Sequence, residues 1–183
     1  WIEFWSETVL LHIYGSSLEP TWWWSWIIAL KQNIAFCTIG FILVVGGWMT
    51  RYYAMTYCGR NFSHQIMLEH DRAHRLVTTG IYSVLRHPSY FGWFYWSIGT
   101  QILLCNPICI VFYTLASWQF FSGRIPFEEA TLCDFYPNEY EEYMKKTYIG
   151  IPFIRPFIGF RSAARPARRP PGQQQSSAQD HTD

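Results

Sequence analysis

Three features of the 183-residue sequence predict an all-α, multi-span membrane helical bundle with a C-terminal transmembrane helical hairpin. Half of the residues are hydrophobic and 15% are charged, against about 25% charged in an average soluble protein. The charges are clustered. Nineteen residues without Asp, Glu, Lys or Arg separate Lys31 from Arg51, and 37 separate Arg86 from Arg124. The basic excess lies beside those blocks, as it does in loops held on the cytosolic side of a membrane. A net charge of +1 argues against a general nucleic-acid binder on electrostatic grounds.

A bilayer core about 30 Å thick takes roughly 20 apolar residues as helix. Residues 1–31 read as a partial span and an interfacial, Trp-rich segment. Ile2, Trp5, Val9, Ile13 and residues 22–28 are largely apolar, but Glu3, Glu7, His12 and Glu19 interrupt them. The chain begins with Trp1 and shows no signal-peptide leader, so the true N-terminus, with further spans, is expected upstream. Residues 32–50 read as a transmembrane helix, with Ile34 to Met49 its apolar part. Residues 51–90 read as a cytosolic loop, with Arg51, Arg60, Arg72, Arg75 and Arg86 set against Glu69 and Asp71.

Residues 91–123 read as the hairpin, with arms near 91–104 and 108–122. The turn falls at Cys105-Asn106-Pro107, because proline lacks an N–H and disfavours helix in the residue before it. The arms are short for full spans and need tilt or burial against other helices. A buried pair in a soluble protein is disfavoured, since too little amphipathic sequence remains to cover it. A hairpin returns the chain to the face it left, so 124–160 is expected to be cytosolic. Within it, 138–146 reads as a solvated amphipathic helix with a packing role and i,i+4 pairs Glu141–Lys145 and Glu142–Lys146. Residues 161–183 carry Pro, Gln, Ser and four Arg and read as a disordered, solvated tail.

Cys37, Cys58, Cys105, Cys109 and Cys133 show no CxxC spacing and read as small apolar residues rather than a disulfide or zinc framework. His64, His70 and His74 lack the companions of a metal site, so no metal is expected.

Two polar islands press against the apolar blocks, at 74–90 and 124–129. If the hairpin arms are antiparallel, residues 90 and 124 meet at one membrane face. Arg86, His87, Tyr90, Arg124 and Glu128 then converge there. Such groups suit a small, charged, partly organic cofactor. His and Tyr offer donors and faces, Glu accepts from an ammonium or a hydroxyl, and Arg holds a carboxylate. The same arginines and His87 serve equally well as positive-inside anchors, and spacing alone leaves both readings open.

At these residues the sequence resembles the isoprenylcysteine carboxyl methyltransferase family, enzymes of the endoplasmic reticulum that methylate prenylated CaaX proteins. The resemblance is carried by HRLVTTGIYSVLRHPSY (74–90), FGWFYWSIGTQILLCNP (91–107) and GIPFI (150–154), with a looser match at LKQ (30–32). The RHPxYxG string also occurs in membrane sterol reductases and other small methyltransferases. The run from Phe91 to Pro107 is more specific.

The resemblance implies a multi-pass endoplasmic-reticulum protein whose cytosolic cofactor-binding loops hold S-adenosylmethionine. Its cofactor contacts would be His74, Arg75, Leu76, Val77, Tyr82, His87, Pro88, Ser89, Tyr90 and Glu128. Arg124 and Glu128 would be catalytic, with Arg124 on the carboxylate of a farnesyl- or geranylgeranyl-cysteine whose prenyl chain enters from membrane lipid. That carboxylate is ionised at neutral pH, so the work is alignment and exclusion of water. No G-x-G occurs, so a soluble Rossmann-type methyltransferase is not supported.

The sequence departs from the family pattern twice. Ile125-Pro126-Phe127 stand where acidic residues usually follow the arginine, so Pro126 either kinks a continuing helix or starts a new one. Met67 stands where a cofactor-binding glutamine is usual. Two other readings remain: a membrane sterol or isoprenoid reductase using NADPH, and a truncated membrane scaffold without activity.

Overall fold

The computed structural model describes residues 33–63 and 75–156, with isolated positions 5, 6, 8, 9, 12, 13 and 29. Those isolated positions apart, the expected segment 1–31 lies outside the described residues. So do His64, Met67, His70, His74 and the tail 161–183.

Helix α1 spans Ile34–Cys58. The Asn33 side chain accepts the Phe36 N–H at 3.2 Å and starts it. Gly59, at φ +55°, ends it. The loop expected from residue 51 therefore begins later. Nothing between Arg51 and Cys58 breaks a helix, and the first residue that does is Gly59. Short 3₁₀ turns follow at Gly59–Asn61 and Gly80–Ser83.

Helix α2 spans Pro88–Leu103 with proline at its first position, where a missing N–H costs nothing. Residues 104–106 turn the chain into helix α3, Pro107–Phe135. The turn is held from within: the Asn106 backbone donates to the Gln101 carbonyl at 3.0 Å and its side-chain amide to Gln101 Oε1 at 3.2 Å. α2 and α3 run antiparallel, since Tyr90 meets Arg124 near one end and Ser97 meets Ser117 midway.

The second arm is longer than the expected 108–122, because Pro126 sits inside a continuing helix. Its ring removes the donor for the Ser122 carbonyl without starting a new helix. Helix α4, Glu139–Lys146, buries Tyr140 and Tyr143 and exposes its charges. Its ion pair is Glu142–Lys145 at 2.5 Å, an i,i+3 contact rather than the expected i,i+4 pairs.

Among the described residues, the helix that starts at Ile34 is long and apolar enough to cross a membrane. The 16 residues of α2 rise about 24 Å, less than a full bilayer core. α1 exposes Phe41, Ile42, Val45, Trp48 and Met49, a surface suited to acyl chains rather than water.

Its other face carries Gly40, Gly47 and Ala54, all buried. A Cβ on Gly47 would lie 2.6 Å from the Gly92 carbonyl oxygen and 2.7 Å from the Trp96 nitrogen. One on Gly99 would lie 2.7 Å from Leu43 Cβ. Small residues on both helices thus let the α1 and α2 backbones touch, as membrane helices do. Beyond α4 the chain returns to the bundle. Tyr148 pairs with Leu85 in a parallel bridge, and Ile149, Ile151 and Ile154 pack on Phe94, Phe121 and Ile125 to form the core.

Candidate active site

The N-terminus of α2, the middle of α3 and the second half of α1 meet at a cleft of about 160 Å³. Arg51, Phe62, Ser63, Ser89, Tyr90, Trp93, Phe120, Phe121 and Arg124 line it. Tyr90 is its centre. Its hydroxyl donates to Glu128 Oε2 at 2.6 Å and accepts from Arg124 Nε at 2.8 Å. Arg124 and Glu128 stand four residues apart on a helix that Pro126 does not interrupt, so they share a face. The Arg124 guanidinium carbon also lies 5.6 Å from the Tyr90 ring centre and 5.8 Å from that of Phe120, within cation–π range.

A second, buried layer supports this one. Arg86 donates through Nε to Glu129 Oε1 at 2.8 Å. It also bonds the Met144 carbonyl at 3.0 Å and the Thr147 carbonyl. Glu129 is fully buried. His87 stacks on Tyr90, with ring centres 5.5 Å apart and 7° between planes. Its Nε2 lies 3.4 Å from Glu129 Oε1 but out of hydrogen-bond alignment, so this buried nitrogen has no bonded partner.

The structure thus brings together His87, Ser89, Tyr90, Arg124 and Glu128, with Arg86 behind them. Pro88 is buried as the first residue of α2. Tyr82 faces elsewhere: its hydroxyl donates to the Ala54 carbonyl at 3.2 Å, and its own carbonyl accepts from Tyr143 at 2.6 Å. Burial holds both the Tyr82 and Tyr143 phenols above their usual range, so each stays a donor. Arg75 is exposed, its backbone N–H bonded to Asn61 Oδ1 at 3.2 Å, and Leu76 and Val77 are half-buried. None of these three lines the cleft. Sequence reasoning missed Arg51, Phe62, Ser63, Trp93, Phe120 and Phe121 as site residues. Arg51 was legible as the end of a charge-free block and as one of the basic residues beside it.

The model of the isoprenylcysteine carboxyl methyltransferase family matches residues 38–134, which hold α2 and all but the outermost residues of α1 and α3. The chain belongs to this family. It is 48% identical over 155 residues to a protein-S-isoprenylcysteine O-methyltransferase of Xenopus laevis, covering 85% of this chain and 48% of that relative. It is 44% identical to the Homo sapiens protein of the same name, covering 82% and 49%. A solved structure of the eukaryotic intramembrane Ras methyltransferase ICMT matches with a TM-score of 0.70 at 42% identity. That match covers 85% of this chain and 53% of that one. The chain therefore spans about half the length of the curated relatives it matches.

Proposed function

We propose that the protein methylates the C-terminal carboxylate of prenylated cysteine in CaaX-processed proteins, at the cytosolic face of the endoplasmic reticulum membrane, with S-adenosylmethionine as donor. The observation that carries this reading is the Arg124–Tyr90–Glu128 chain set beside an aromatic cleft at the end of an apolar helix pair. A prenylcysteine is part lipid and part anion, and the cleft offers aromatic walls and arginine together.

The residues present fit the cofactor. Glu128 and the neighbouring rings would attract a cation, and Tyr90, which joins Glu128 to Arg124, stands between them on the stacked His87 ring. The resemblance adds Pro88 and Ser89 at the start of α2; of its other residues, His74 lies outside the described residues, and Arg75, Leu76, Val77 and Tyr82 stand outside the cleft lining. When bound, S-adenosylmethionine supplies a sulfonium methyl group, which passes to a carboxylate oxygen while the C–S electron pair stays on sulfur. Arg124 orients the carboxylate, and its Nε bond to Tyr90 fixes the plane of the guanidinium. Phe120, Phe121 and Trp93 exclude water from the anion and receive the first prenyl units. No side chain is needed to remove a proton, because the nucleophile arrives ionised.

The test is transfer of labelled methyl from S-adenosylmethionine to N-acetyl farnesylcysteine by membranes holding the full chain. Wild type should transfer. Arg124→Ala should lose at least a hundredfold in rate while S-adenosylhomocysteine affinity changes less than about threefold, as expected for loss of one charged contact to the substrate alone. Absence of transfer by wild type refutes the proposal, and equal loss of cofactor affinity refutes the role given to Arg124.

A further inference from the structure

Residues 147–154 form a short charge-free block, with Lys146 before it and Arg155 after it. None of them lines the cleft. Their backbone is not helical, yet it lies along the apolar length of the bundle. The Tyr95 hydroxyl donates to the Gly150 carbonyl at 3.2 Å, and Trp118 Nε1 donates to the Pro152 carbonyl at 2.9 Å. Those two donors fix its depth. Tyr95 is next to Trp96, whose backbone meets Gly47 on α1. Trp118 is next to Ser117, which meets Ser97. Ser97 in turn lies two residues from Gly99, which meets Leu43 and Val44. The segment is therefore level with residues 43–47 of α1, the helix long and apolar enough to cross a membrane. On α3, Trp118 stands six residues from Arg124, about 9 Å along the helix axis.

Non-helical backbone at such a depth persists only where the protein satisfies it. Side chains of α2 and α3 satisfy the two carbonyls, and Pro152 brings no N–H of its own. Ile149, Ile151 and Ile154 turn inward onto Phe94, Phe121 and Ile125. Phe153 turns outward and is 91% exposed. Its φ of +60° is rare for a bulky residue and suits glycine or asparagine better. Leu115 and Val111, one and two turns from Trp118 on the same face of α3, are exposed as well.

We propose that residues 149–154 are a re-entrant turn that seats Phe153 among the acyl chains of the bilayer. The flanks fit this partner. Lys146 and Arg155 are both exposed and hold the entry and the exit at anionic headgroups. The exposed Tyr148 stands between headgroups and acyl chains, where tyrosine is favoured. The chain thus dips from α4 into the apolar layer and comes back. The turn ties α4, and with it the carbonyls that hold Arg86, to a fixed height in the membrane.

The experiment uses the full chain in phosphatidylcholine nanodiscs. One protein carries p-benzoylphenylalanine in place of Phe153, and a second carries it in place of Glu139, which is exposed on α4. After irradiation the adducts are identified by mass. Acyl-chain adducts should be at least about tenfold more abundant at 153 than at 139, since acyl chains are confined to the bilayer core. A smaller ratio, or no lipid adduct at 153, overturns the proposal. A covalent dimer overturns it too, since this surface would then join two copies of the chain. So does an adduct on the prenyl group of added N-acetyl farnesylcysteine, which would place Phe153 on the substrate's path. A second pair of variants avoids the label. Phe153→Asn eases the backbone but removes the apolar ring, so amide exchange across 149–154 should quicken about tenfold, while Phe153→Leu stays within about threefold of wild type. Unchanged or slower exchange in Phe153→Asn overturns the proposal, because relief of backbone strain would then outweigh any lipid contact.

Discussion

The buried pair Arg86–Glu129 gives a prediction whose sign can be worked from the structure. Replacing Glu129 by Leu leaves the Arg86 guanidinium buried with two carbonyl acceptors, those of Met144 and Thr147, and no counter-charge. Such a break costs about 3–5 kcal/mol. Replacing Arg86 by Met leaves a fully buried carboxylate and strips both carbonyls of their donor. That cost is about 3–5 kcal/mol for the charge and about 1–3 kcal/mol for each stranded group. The double variant holds no buried charge and keeps only the carbonyl penalty. Adding Glu129→Leu to Arg86→Met should therefore restore stability, by about 2 kcal/mol or more. Reversible unfolding in mixed micelles, followed by tryptophan fluorescence, measures all four corners of the cycle. Additivity of the two single losses to within about 0.5 kcal/mol would refute the reasoning, because residues that do not share a charge pair add.

Two further predictions test the packing and the edge of the site. Gly47→Ala should lower the thermal midpoint, because its Cβ would meet Gly92 and Trp96 backbone atoms at 2.6–2.7 Å. Gly46→Ala, with nothing within 4 Å, should raise stability by about 0.5–1 kcal/mol through helix propensity; an equal response of the two neighbours would show that α1 and α2 do not touch as described. Burial, with help from Glu141, Glu129 and Asp134, pushes the Cys133 thiol up from 9.0 to about 11. Its alkylation at pH 8 should run about a hundredfold slower than that of a free thiol and climb tenfold per pH unit beyond pH 9. A rate that levels off near pH 9 would contradict the burial.

Much of the architecture was legible because it is written in charge spacing and proline. The two charge-free blocks foretold α1 and the α2–α3 pair, and Asn106-Pro107 foretold the turn. The meeting of Tyr90 with Arg124 followed from antiparallel arms alone. Arg51 was not legible as a site residue. Its role depends on which face α1 turns to α2, and that is decided by contacts between residues about 40 positions apart, such as Gly47 with Gly92. A signal did exist: Gly40, Gly47 and Ala54 recur every seven residues, and Arg51 stands four after Gly47 on the same face. The buried Glu129 was hidden for another reason. Glu128 and Glu129 are chemically alike, and only the rotation of α3 aims one at Tyr90 and the other at Arg86.

The return of residues 147–154 to the bundle has a consequence for synthesis. Arg86 obtains its carbonyl partners from Met144 and Thr147, and its backbone N–H bonds the Tyr148 carbonyl at 2.9 Å. All of these leave the ribosome some sixty residues after Arg86 itself. Until they do, a guanidinium meant for the interior stands without its ligands beside a half-formed bundle. A chain that stops short of this segment is thus not a slightly smaller version of the protein. It is an unfinished one that displays a stranded charge, so assembly of the site doubles as a report that residues 144–148 have been made.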